Sequence, residues 1–260
     1  MNMWNNTRIF TIAAMVFSVA SCRPKEPVQP VEVIPETEMA PVILPMIDAV
    51  YGAMYSIKIH KVVNGVESRA EMASAVFYNE PSNTATATEG TPAGQVTINN
   101  FNLNQNTENG GYIRTAIEGQ IFSNLNFEDG VTWEVGGEDG IPPMTFTWSQ
   151  FFPAYNGYIP ASIERSQPLK FTFDESTLVY TDSVFVAISA GTKTIVKRYS
   201  ANAGQVTIPS EELRQLQRCT ADRPGYLQIS ATMVDIFNII NGNPAALVKQ
   251  QTEIRSIVIQ

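Results

Sequence analysis

The residue types able to do acid–base, nucleophilic or metal chemistry are few and scattered. The 260 residues hold one histidine, His60, and two cysteines, Cys22 and Cys219. Ser-His-Asp or Cys-His catalysis would have to be assembled at His60, and no Gly-X-Ser-X-Gly elbow accompanies it. A histidine-based zinc site is excluded by the same count, because zinc takes three or four ligands. His60 therefore reads as a polar residue near a strand end. Carboxylates are more numerous, and a glycosidase needs only two at suitable separation. Glu128, Asp129, Glu134, Glu138 and Asp139 lie close in sequence, but Gly130 and Gly136-Gly137 among them mark turns. Asn124–Gly130 alternates like a calcium loop, yet its glycine comes one place late and no glutamate stands at the twelfth position. Phosphate-loop and dinucleotide fingerprints are absent. The expectation is a chain that is not an enzyme and carries no metal and no cofactor.

Recognition is the chemistry that remains. The stretch 146–158 (FTWSQFFPAYNGY) is dense in rings. Phe146 and Trp148 alternate and should enter a core, whereas Phe151, Phe152, Tyr155 and Tyr158 surround Pro153 and Asn156-Gly157, where the chain must turn. Those four form a candidate ligand platform for a glycan or protein partner. The alternative is a satellite cluster that seals a junction between domains. The net charge of −8 and the lack of a basic run argue against nucleic acid.

The elements that would carry these residues begin with an address. Arg8 precedes the apolar run Ile9–Phe17, and the small residues 18–21 follow before Cys22, in the order of a secretory signal. The run is shorter than the roughly 20 apolar residues that span a bilayer. Val19-Ala20-Ser21-Cys22 resembles the lipobox of bacterial lipoproteins. The resemblance implies cleavage before Cys22, diacylation of its thiol and stable membrane anchoring by two or three chains. Arg23 after the cysteine is what that family shows when the protein passes to the outer membrane. The implied location is the bacterial outer membrane or cell surface, and the membrane becomes a partner through Cys22.

Six prolines between Pro24 and Pro45 predict an extended tether. From Ile47 the pattern turns to period two, with Ala49, Tyr51, Ala53, Tyr55, Ile57 and Ile59 on one face of a strand, and Asn64-Gly65 marks the return. Short strands and Gly/Asn turns then recur to the C-terminus. Pro160–Pro168 reads as a hinge, and one helix is expected over Glu211–Arg218, capped by Ser210 and carrying Cys219 on its apolar stripe. The expected organisation is a signal peptide (1–21), a lipidated tether (22–45) and two antiparallel β-sandwich domains (46–160 and 161–260). The second resembles an immunoglobulin-like domain with a short crossover helix, a likeness of architecture alone. Ala93–Ile98 (AGQVTI) recurs at Ala203–Ile208, which leaves open a duplication. Asp182-Ser183-Val184 resembles an O-glycosylation acceptor of some gut-type anaerobic bacteria. Together these features read as a lipid-anchored envelope protein with a non-enzymatic binding, adhesion or scaffold role. The alternative is a carbohydrate-binding or carbohydrate-active surface lipoprotein.

Overall fold

The computed structural model describes residues 44–45, 47–84, 89–106, 109–117 and 124–260. The signal, the lipobox and the tether up to residue 43 lie outside them. The described chain is all-β, and residues 43–260 form one compact unit.

In chain order the strands are β1 (Val50–Val63), β2 (Val66–Ser82), β3 (Val96–Ile98), β4 (Phe101–Asn102), β5 (Asn104–Gln105) and β6 (Tyr112–Ile117). Then follow β7 (Val131–Val135), β8 (Met144–Trp148), β9 (Ala154–Tyr155), β10 (Ser162–Ile163), β11 (Leu169–Phe173) and β12 (Leu178–Val179). The chain ends with β13 (Ser183–Ala190), β14 (Lys193–Ser200), β15 (Gly204–Ile208), β16 (Gly225–Ile240) and β17 (Asn243–Ile259). One large sheet runs β14-β13-β16-β17-β1-β2-β6-β5, with β10 added on β17. Smaller sheets β4-β3-β7-β8, β11-β15 and β12-β9 make the second layer.

The first hairpin forms where expected, but β1 does not alternate in burial: Met54 and Ser56 are as deeply buried as Ala53, Tyr55 and Ile57, so both of its faces are covered there. Its turn uses Asn64 at φ 51° and Gly65 at φ 79°. Positive φ at both positions matches the twist of the flanking strands. A second long hairpin, β16–β17, turns on Asn241 at φ 51° and Gly242 at φ 81°. It forms the middle of the large sheet, because β17 also pairs in parallel with β1 from Ala53↔Ala246 to Val62↔Arg255.

Two apolar cores lie between the layers. One is built on Met54, Phe77, Ile98, Trp133 and Leu247, and the other on Phe173, Val186, Ile208, Ile229 and Ile257. They fall largely on either side of residue 160. The large sheet, however, crosses that expected boundary without a break, and β16 and β17 supply residues to both cores. Residue 160 thus divides cores while the sheet beneath them is shared.

Several local expectations need correction. The helix covers only Ser210–Leu213, with Pro209 at the cap position and Ser210 already inside. Beyond it the backbone continues in i→i+3 turns, Gln215 N–H to Glu212 and Leu216 N–H to Leu213. Leu213 and Leu216 are buried as expected, but Cys219 is half-buried in a bridge to Ile259 and sits on no helix. Burial raises its thiol pKa, which keeps it in the unreactive form. Ser183 of the glycosylation-like triplet is buried in β13, which closes its hydroxyl to a modifying enzyme in the folded chain. The two AGQVTI copies open alike, with Gly94 at φ 72° and Gly204 at φ 68°, and each enters a second-layer strand. The strands after them are wired differently: β6 joins the second strand of the preceding hairpin, β16 the first strand of its own.

Candidate functional site

The four rings of the aromatic segment do not share one surface. Phe151 is 70% exposed and Tyr158 80% exposed, whereas Tyr155 is 8% exposed and Phe152 packs on the first core. A buried lysine sets this division. Lys249 sits in the middle of β17, fully buried, with its ammonium donating to the Trp148 carbonyl at 2.9 Å and to the Gln150 carbonyl. Its Nζ also lies 4.7 Å from the centroid of Trp148 and 5.2 Å from that of Phe152. Two carbonyls and two π faces are what an ammonium deprived of water needs. With the backbone pinned on both sides of Ser149, Phe152 turns inward and stacks on Phe127 at 5.4 Å, and Phe151 is left outside. Lys58 lies 4.9 Å over the same Phe152 ring.

Tyr155 is held as firmly. On β9 it pairs with Leu178 of β12, meets Phe173 edge-on at 5.7 Å and donates its hydroxyl to the Tyr158 carbonyl at 3.1 Å. A Cβ on Gly157 would stand 2.3 Å from its ring, so only glycine lets the chain pass there. The β9–β12 ladder also fixes the surface next to Phe151. Leu178 points inward, Val179 is partly exposed, and Tyr180 follows at 56% exposure, stacked on Phe151 with centroids 6.0 Å apart and planes 26° from parallel.

Tyr180 has φ 48°. Among the described residues eight non-glycines have positive φ, and six of them are Asn or Asp, which tolerate it. A bulky side chain held there stores strain of the kind found at ligand-contacting surfaces. On one side Thr181 donates its hydroxyl to the Val179 carbonyl at 2.8 Å. Beyond it Asp182 is stitched to β16, accepting from the Val234 N–H at 2.8 Å.

Tyr180 forms a wall of a cleft of about 320 Å³, lined also by Asp174, Glu175, Asp182, Asn202 and Met233. Asp174 shapes the preceding turn by accepting from the Ser176 N–H and hydroxyl, and those bonds hold its carboxyl below the usual pKa. Nearby Asp235 is shifted upward, first by burial and then by the charge of Asp182. A larger depression of about 460 Å³ lies on the second-layer sheet beside Thr97, Glu134 and Met144. No aromatic residue lines it, and its one acid accepts the Thr97 hydroxyl at 3.2 Å.

The residues suited to catalysis are placed elsewhere and occupied. His60 Nδ1 lies 2.7 Å from Glu253 and Nε2 lies 3.0 Å from Glu67, so both ring nitrogens face carboxylates and neither faces a nucleophile. Glu67 also pairs with Arg69, and Glu128 with Lys58. Glu138 closes a tight bridge to Ile141, and the side chain of Asp129 lies outside the described residues. No group of three or more His, Cys, Asp or Glu suited to a metal occurs among the described residues. Cys22 lies outside them. Tyr180 and its cleft went unread in the sequence, where LVYTD shows neither a clear period nor a motif. In comparisons with family models, curated proteins and solved structures, nothing matches this chain.

Proposed function

We propose that this is a lipid-anchored protein of the bacterial outer envelope, held by Cys22, which binds a partner through the exposed aromatic surface centred on Phe151 and Tyr180 and performs no chemistry of its own. One observation carries the binding half of this reading. Two large rings stack in water at the edge of a cleft, one of them on a strained backbone, although the molecule has two cores in which rings could be buried. The lipobox resemblance supports the anchoring half. The immunoglobulin-like reading of 161–260 belongs to this proposal as architecture and supplies no function.

The test is paired. Cys22→Ala is expected to leave the membrane fraction. The double variant Phe151→Ala/Tyr180→Ala is expected to stay in that fraction and keep its melting temperature. As purified protein, that variant should bind less to envelopes from cells lacking the gene. Unchanged envelope binding would remove the aromatic surface from the account, and sedimentation of the Cys22 variant after a salt wash would remove the anchor.

A further inference from the structure

We propose that the cleft beside Phe151 and Tyr180 receives a cationic side chain, arginine above all, from a basic segment of a partner protein. This rests on the binding reading above and names its ligand class.

Charge is the first ground. Three carboxylates, Asp174, Glu175 and Asp182, line the cleft, and no lysine, arginine or histidine does. None of the three is in an ion pair among the described residues, and no base lines the cleft to offset their charge. Like charges gathered in a concave site without a counterion favour the entry of a cation. The two aspartates are also fixed. Asp174 Oδ1 accepts from Ser176 and Asp182 Oδ2 accepts from Val234, so each carboxylate is held in place while its other oxygen has no described donor.

The rings are the second ground. Tyr180 stands in the wall of the same cleft with Phe151 stacked behind it. A π face beside carboxylates suits a guanidinium, which lies flat on the ring and presents its N–H fork to the acids at its edge. A neutral sugar could use the ring and some of the oxygens, but it would leave three negative charges uncompensated. The chain's net charge of −8 adds long-range attraction for a basic partner.

The experiment titrates the full chain with a tetra-arginine amide at low salt, using the tetra-citrulline amide as a neutral isostere and a neutral glucan hexasaccharide as the sugar probe. The arginine peptide should bind and the citrulline peptide should not. Tyr180→Ala and Phe151→Ala should each weaken binding by roughly 5- to 30-fold. Glu175→Gln should weaken it as well, while Glu80→Gln, an exposed acid outside the cleft, should leave it unchanged. Thermal melts of each variant show whether the fold is intact, and two independent ring variants guard against the failure of either. Peptide binding that ignores both ring variants would mark diffuse attraction to an acidic surface and overturn the proposal. Ring-dependent binding of the hexasaccharide without the peptide would overturn the ligand class and keep the aromatic surface. Binding of neither probe would overturn the ligand class too, and the envelope assay above then decides the binding reading by itself.

Discussion

Raising the pH from 7 to 9.5 should stabilise this protein through one residue, Lys249. Burial pushes its ammonium down to about 8, with the charge of Lys58 adding to the effect and Asp235 opposing it. In the unfolded chain the same group titrates near 10.5. Between those values the unfolded state binds more protons than the folded state, so stability rises with pH across the window and is flat below about 8. At roughly 1.36 kcal/mol per unit, the 1.5 units from 8 to 9.5 give a gain of at most about 2 kcal/mol. Other groups move in the same range. Cys219 and several buried tyrosines have raised pKa values and lose stability as the pH climbs, while Lys61, lowered by burial, gains it. Lys249→Met subtracts this background, since it keeps a stem of similar length and removes the titration, while the loss of the two hydrogen bonds to the carbonyls of Trp148 and Gln150 lowers the variant's stability by an offset that the comparison across pH cancels. Urea midpoints for both proteins at pH 7, 8, 9 and 9.5 give the difference directly. The wild type should gain on the variant by about 2 kcal/mol, all of it above pH 8. Parallel profiles would show that Lys249 keeps an ordinary pKa and that the cage of carbonyls and rings compensates its burial.

Further expectations are local. Tyr180→Gly should relieve the positive φ and raise stability by up to about 1 kcal/mol in a thermal or urea melt while weakening partner binding, a trade expected where strain serves recognition. Gly157→Ala should lower stability by about 1–3 kcal/mol, because its Cβ would collide with the Tyr155 ring. Phe152→Ala should cost roughly 2–4 kcal/mol, read as a drop in melting temperature, since it removes the stack on Phe127 and one face of the lysine cage.

The strand pattern was readable wherever one face is apolar and the other wet. Val131–Val135 (VTWEV) and Leu169–Phe173 (LKFTF) alternate apolar and polar residues, and both form strands with the apolar set turned inward. The reading failed where both faces are covered. From 243 to 252 the chain carries Pro244 and the polar run Lys249-Gln250-Gln251, which resembles a loop. Yet Lys249 and Gln250 are fully buried in the central hairpin. The charge of Lys249 is met by the carbonyls of Trp148 and Gln150, far back in the chain, and the Gln250 amide donates to Thr252, whose hydroxyl meets Ser230 across the hairpin; a local pattern shows neither the remote carbonyls nor the cross-strand hydroxyl. The same limit applies to the site. Ring density flagged Phe151, but its partner Tyr180 lies 29 residues on, brought beside it by the two-residue β9–β12 ladder. The helix was over-read because Leu213, Leu216 and Cys219 keep helical spacing while the backbone after Leu213 tightens into turns.

The central claim is that the Phe151–Tyr180 surface is covered by a partner where the protein works. Hydroxyl-radical footprinting of intact cells against the purified protein reads this directly, since both rings are exposed in the isolated chain and oxidise readily. The account predicts several-fold slower oxidation of Phe151 and Tyr180 on cells, with Val66, exposed at the distant β1–β2 turn, oxidised equally in both. Equal oxidation of the two rings on cells and in solution would contradict it.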